Sequence, residues 1–87
     1  MTRETHEHRL KRLHMRSMRR GIKEMDLIFM RFAAARLEGM SADELDAYEA
    51  LLDENDQDLY QWVSGQVAPP DAHSVLVSEI SDLVHST

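Results

Sequence analysis

No cysteine occurs in the chain, which excludes a disulfide scaffold, a thiolate zinc site and a thiol nucleophile together and fits a reducing compartment. Uninterrupted apolar runs reach only a few residues, far short of the roughly 20 needed to span a bilayer. The opening "MTRETHEHRL" has no apolar core of a signal peptide, so the chain reads as soluble and unexported. Residues 41–87 contain no Lys or Arg, and no aromatic residue precedes Phe29. Alternating β-branched runs are missing too, which leaves no strand to predict. At 87 residues the chain suits one small domain. Such a domain buries only roughly 60 to 65% of its unfolded surface, too little for a deep catalytic cavity walled on all sides. These absences favour a protein that acts through its surface.

The charge that is present is divided along the chain. Residues 1–40 carry all ten Lys and Arg against five acids, while residues 41–87 carry eleven acids, for a net charge of -6. Such asymmetry recruits nucleic acid to the basic half, joins the two halves within the fold, or steers complementary proteins together.

Helical periodicity accounts for nearly the whole sequence. A first helix over residues 6–17 places Leu10, Leu13 and Ser17 on a narrow face flanked by Arg9, Lys11, Arg12 and Arg16. A second runs from Ile22 to Leu37 and is expected to end at Gly39 in a left-handed cap. Its segment "MDLIFMRF" sets Met25, Ile28, Phe29 and Phe32 on one face, and Leu27 and Met30 widen the stripe, making it the central helix of the core. Ser41-x-x-Glu44 is a capping box that opens a third helix, with Leu45, Tyr48, Leu51 and Leu52 on its apolar face. Asn55 or Asp56 caps a short fourth helix carrying Leu59, Trp62 and Val63, and Gly65 stops it. Pro69 and Pro70 enforce a non-helical connection. A fifth helix, capped by Asp71, carries Val75 or Leu76, Ile80, Leu83 and Val84. An all-α, compact five-helix bundle in a single domain follows, with residues 1–6 and 85–87 expected to fray.

Several constellations have ordinary readings. His6 and His8 point roughly 200° apart on a helix and cannot share an ion, so solvated histidines are the expectation and no metal site is assigned. The run "DENDQD" at residues 53–58 lacks the central glycine of a calcium loop, and its twelfth position is Ser64 where a bidentate glutamate is required. Met25 and Met30 are expected to fill the core, whereas Met15 and Met18 are free to line an adaptable surface. No nucleophile, base and carboxylate form a set, and no Gly-rich loop cradles a phosphate, so no catalytic residue is expected. The basic first helix with "RSMRRGIK" makes a small nucleic-acid-binding regulator the alternative. Against it stand the absence of stacking aromatics there and the nearby Glu24 and Asp26.

One stretch carries a resemblance. Arg20, Gly21, Ile22, Lys23 and Glu24 form the pattern R-G-x-x-E, followed by the acidic and apolar "MDLIFMRF". With the capped third helix, "DENDQDLYQW" and the proline pair, the chain resembles the SdhE family of FAD assembly factors over most of residues 8–84. Before the arginines, where many members have tryptophan or cysteine, this chain has His14, Met15 and Met18. The resemblance implies a five-helix assembly factor that binds the flavoprotein subunit of succinate dehydrogenase, and also that of the related fumarate reductase, while FAD becomes covalently attached to a histidine of that subunit. It implies a helper that does not make the bond and holds no FAD firmly itself, working in the bacterial cytoplasm, or in the mitochondrial matrix if a transit peptide has been removed. An antitoxin-like protein-binding role is a further alternative attached to the family. Arg19, Arg20, Gly21, Glu24 and Asp26 are the expected partner-binding residues.

Overall fold

A computed structural model describes residues 4–85. Among them are five α-helices and no strand: α1 (His6–Arg16), α2 (Lys23–Arg36), α3 (Ala42–Leu52), α4 (Asp56–Val63) and α5 (Ser74–His85). The chain expected to fray lies partly outside the described residues, while His6 begins α1 and His85 ends α5.

Local chemistry sets most boundaries. The Thr5 hydroxyl accepts from the His8 amide at 3.1 Å and caps α1. The Ser41–Glu44 box forms in both directions, at 3.2 Å to the serine oxygen and 3.0 Å to the glutamate carboxylate, which holds the Glu44 carboxyl below its ordinary range through the Ser41 amide. Asn55, not Asp56, caps α4, accepting from the Gln57 amide at 2.8 Å. Gly65 adopts a φ of +85° and ends that helix as expected. Gly39 does not take a left-handed conformation. Instead α2 tightens into a 3-10 turn over Leu37–Gly39, closed by the Met40 amide on the Leu37 carbonyl at 3.2 Å. Asp71 likewise does not cap α5: it opens a 3-10 turn over Asp71–His73 that runs directly into the helix.

The core gathers around α2. Met25, Phe29 and Phe32 are wholly buried there, together with Leu13, Leu45, Tyr48, Leu51, Leu59 and Ile80 from the other helices. Each such side chain removes enough apolar surface from water to stabilise the fold by roughly 1.5 to 3 kcal/mol. Tyr48 joins α3 to α2, its ring centroid 6.0 Å from Phe29 in an edge-to-face arrangement and 5.6 Å from Phe32. Its hydroxyl meets buried Ser17 at 2.6 Å, and the Ser17 hydroxyl meets the Leu13 carbonyl at 2.7 Å. Because the Ser17 proton goes to the carbonyl, the tyrosine is the donor in the pair. Burial pushes the Tyr48 phenol up to about 12.

The core stripe of α2 is narrower than its composition suggests. Leu27 and Met30 are 59% and 42% exposed, so Met30 is a surface residue and not a core filler. In α5, Leu76 and Val77 turn inward while Val75 is exposed. Trp62 packs partly against the core beside His73, whose ring lies 5.8 Å away. His73 is itself buried, with Nε2 2.9 Å from a Glu54 carboxylate oxygen.

The charge asymmetry is largely resolved inside the molecule. Arg9 meets Asp46 at 2.5 Å, Arg12 meets Glu49 at 2.8 Å, and Arg16 meets Asp53 at 2.5 Å. All three pairs are 37 residues apart in sequence, so α1 and α3 run in the same direction with their charges aligned. The Arg12 hydrogen bond holds the Glu49 carboxyl below its ordinary range. Individually such accessible pairs contribute about 0 to 1 kcal/mol. Their joint effect on function is larger, because the basic face of α1 is covered by acids and is not offered to a phosphate backbone.

Candidate docking surface

The loop from Ser17 to Ile22 carries the R-G of the motif. It leaves α1 by the hydrogen-bonded turn at Ser17, passes through Arg19 at a φ of +55°, and enters α2 from an extended Ile22. A positive φ strains a residue with a Cβ, and here the structure compensates: the Arg19 amide donates to Asp26 Oδ1 at 2.6 Å. Asp26 in the first turn of α2 thus secures the loop that precedes it, while its charge suits the positive end of the helix.

Arg20 turns inward. Its Nε donates to Asp56 Oδ1 at 2.9 Å and its Nη2 approaches the same oxygen at 2.8 Å. Nη1 donates to the Arg16 carbonyl at 3.1 Å and Nη2 to the Leu52 carbonyl at 3.0 Å, the last residues of α1 and α3. Those carbonyls carry the negative ends of two helix dipoles, and the first residue of α4 supplies the carboxylate. The guanidinium also lies 5.4 Å from the Phe29 ring centroid. One side chain therefore ties the ends of α1 and α3, the start of α4 and the flank of α2. Arg20 and Asp56 are only 13% and 15% exposed. Arg20, expected from the resemblance to bind a partner, thus spends its guanidinium within the chain, because the α3–α4 turn brings Asp56 beside the loop.

Gly21 lies outside α2, so Arg20 and Glu24 do not share a helix. The Gly21 amide donates to Asp56 Oδ2. Its exposed face borders an open polar cleft with Ile22, Asn55, Asp56 and Gln57. Glu24, exposed in the first turn of α2, stands on the other side of the motif, at a groove of about 340 Å³ between α2, α4 and α5. The groove is walled by Leu27, Ile28, Tyr60, Val63 and Val84, with Ser64 and His85 alongside. A carboxylate bordering an apolar groove is suited to receive an apolar segment bearing a cation or an amide donor.

On the opposite side of Arg19, Met15 is 73% exposed and Met18 is 42% exposed, and the two border a smaller concavity with Arg19. This is the adaptable methionine surface that the sequence suggested. Of the five expected site residues, Arg19, Gly21 and Glu24 reach the surface, while Arg20 and Asp26 support the loop from within. The sequence reading missed Asp56, the common support of Arg20 and Gly21. The clue was its place in an acidic turn whose capping role Asn55 already fills.

The basic alternative loses its footing in the same geometry. Among the described residues only Lys11, Arg19, Lys23 and Arg31 are Lys or Arg side chains outside an ion pair. No three His, Asp or Glu side chains among the described residues converge as metal ligands, and no helix is long and apolar enough to cross a membrane.

Comparison with known proteins identifies the family. A family model described as flavinator of succinate dehydrogenase matches residues 11–84. The chain is 46% identical over 63 residues to succinate dehydrogenase assembly factor 2, mitochondrial, of Meyerozyma guilliermondii, covering 72% of this chain and 47% of that protein. It is 51% identical over 53 residues to the protein of the same name from Debaryomyces hansenii, covering 61% of this chain and 37% of that protein. The matched part thus spans between a third and a half of the length of these relatives. The match of the family model over most of the chain, R-G-x-x-E loop included, makes this protein a member of the flavinator of succinate dehydrogenase family.

Proposed function

We propose that the protein is an assembly factor that docks on the flavoprotein subunit of succinate dehydrogenase and promotes its covalent flavinylation, with the fumarate reductase flavoprotein as a related client. Family membership supports the reading, and the observation that carries it is Glu24, an exposed carboxylate without a hydrogen-bond or ion-pair partner among the described residues, beside an apolar groove. Covalent attachment needs a histidine of the client poised against the flavin and sheltered from water. A rigid helper that restricts the client's motion raises the fraction of time spent in that arrangement without supplying a catalytic group.

In this reading the latch around Arg20 makes the docking surface rigid, so little ordering entropy is lost on binding. Glu24 accepts from a cation or amide of the client, the groove takes an adjoining apolar segment, and Arg19 with Met15 and Met18 extends the contact. FAD is held by the client and not by the factor. The working compartment is the bacterial cytoplasm, or the mitochondrion named for the relatives.

The test is covalent flavin incorporation into purified apo flavoprotein, followed by in-gel flavin fluorescence, with wild-type factor, with Glu24→Ala and without either. Loss of an interfacial bond to a charged group weakens affinity about tenfold or more. Stimulation that Glu24→Ala loses, at unchanged melting temperature, is the expected result. Absence of both stimulation and complex with the wild type would overturn the proposal.

A further inference from the structure

We infer that Asp56 is an additional positioning residue of the docking motif, and that its carboxylate, not the approach of a partner, is what requires glycine at position 21. The last step, the effect on docking, rests on the function proposed above.

Both oxygens of the carboxylate are committed to the motif. Oδ1 receives Arg20, and Oδ2 receives the Gly21 amide. Asp56 is not occupied in capping its own helix, since Asn55 does that. At the first position of α4 its negative charge is favoured by the helix dipole, and it remains available to reach across to the loop.

The case for the glycine is steric. Gly21 does not occupy the left-handed region that Gly65 does, so backbone conformation does not demand glycine there. A Cβ at position 21 would lie 3.0 Å from Asp56 Oδ2 and 4.0 Å from its Cγ, and would meet nothing else within 4 Å. Its chain neighbours aside, the one group among the described residues that a Cβ at 21 would press against is thus the carboxylate that the Gly21 amide holds. Displacing it would loosen the amide bond and the Arg20 fork together. The loop that leads into Glu24 would then lose its support from α4.

Four proteins decide the matter: wild type, Gly21→Ala, Asp56→Ser and the double variant. Serine at 56 shortens the side chain and removes the obstructing oxygen. Unfolding by urea is followed through Trp62, the single tryptophan. Gly21→Ala is expected to lower the midpoint in the wild-type background and to have no further cost in the Asp56→Ser background. That is a coupling of about fivefold or more in the unfolding constant. Asp56→Asn retains an atom in the obstructing place, so Gly21→Ala is expected to remain costly there. Additive effects in Asp56→Ser would overturn the inference, as would loss of the penalty in Asp56→Asn.

The same set is then titrated against the flavoprotein at a temperature where every variant is fully folded. Masking of the Gly21→Ala affinity defect by Asp56→Ser is expected. A stability cycle that couples beside an affinity cycle that is additive would show the partner itself requiring the glycine, and would overturn the claim. If the wild-type factor does not bind the flavoprotein, the proposed function fails while the stability cycle still decides the role of Asp56.

Discussion

The buried contact between Ser17 and Tyr48 makes a prediction whose sign follows from proton placement. The Ser17 hydroxyl donates to the Leu13 carbonyl and accepts from Tyr48. Ser17→Ala leaves the tyrosine O–H enclosed with no acceptor, which costs the desolvation of that group, about 2 kcal/mol. Tyr48→Phe leaves serine still donating to Leu13 and forfeits one net bond, about 1 kcal/mol. The double variant strands no donor and should also cost about 1 kcal/mol, giving a coupling of about 2 kcal/mol. A chain of this length has roughly 4 to 13 kcal/mol of total stability, so all three variants remain folded and measurable. Urea unfolding read through Trp62 supplies the values. Burial of the same tyrosine has an alkaline signature of its own: with the folded phenol raised by desolvation to about 12 from an ordinary 10.0, the stability held by the neutral ring is complete below pH 10 and lost as the pH rises through 12. Additivity of the two substitutions, or a larger loss from Tyr48→Phe than from Ser17→Ala, would refute the assigned proton.

Three further outcomes are expected. Arg20→Lys keeps the charge but cannot reach Asp56, Arg16 and Leu52 together, and should lower stability by about 2 kcal/mol; a loss below about 0.5 kcal/mol in urea unfolding would mean that the fork does not hold the loop. Glu49 has its pKa lowered by Arg12, so its contribution is complete above the ordinary 4.5 and lost as the pH falls through the lowered folded value. Glu49→Gln should flatten the decline of melting temperature below pH 4.5, and an unchanged acid profile would count against the pairing. The excess of acids left after the internal pairs should steer encounter with a basic client surface, so stopped-flow association should slow about tenfold between low and high salt; a rate indifferent to ionic strength would exclude steering.

The elements were legible where local chemistry decides them. Ser41 and Glu44 three residues apart, and Leu45, Tyr48, Leu51 and Leu52 at helical spacing, each announce their role, whereas the sequence left the cap of α4 open between Asn55 and Asp56. Met30 and Leu27 were misleading because a stripe drawn from composition cannot know how much of the helix its neighbours cover. Gly39 was misleading because a glycine permits a left-handed cap without compelling one, and here a 3-10 turn closed on the Leu37 carbonyl ends the helix instead. In the docking surface, Glu24 was readable as an exposed acid in a first turn. The roles of Arg20 and Gly21 were not, since both depend on Asp56, which only the tertiary fold brings alongside. A motif read along the chain names its residues but does not say which ones face inward.

The attachment of α1 differs in kind from that of the other helices. It buries Leu13 fully and Leu10 in part, and otherwise meets α3 through the row from Arg9 to Arg16. Charge contacts near solvent weaken with added salt, whereas the apolar contacts that hold α2, α4 and α5 do not. Added salt therefore acts most on the α1–α3 seam, where three such pairs lie in a row, and less on the α2–α5 contact, which has the single pair Arg36–Glu79. The Arg20 latch reaches back to the last carbonyl of this helix, so the seam that salt weakens is anchored at the end where the R-G loop begins.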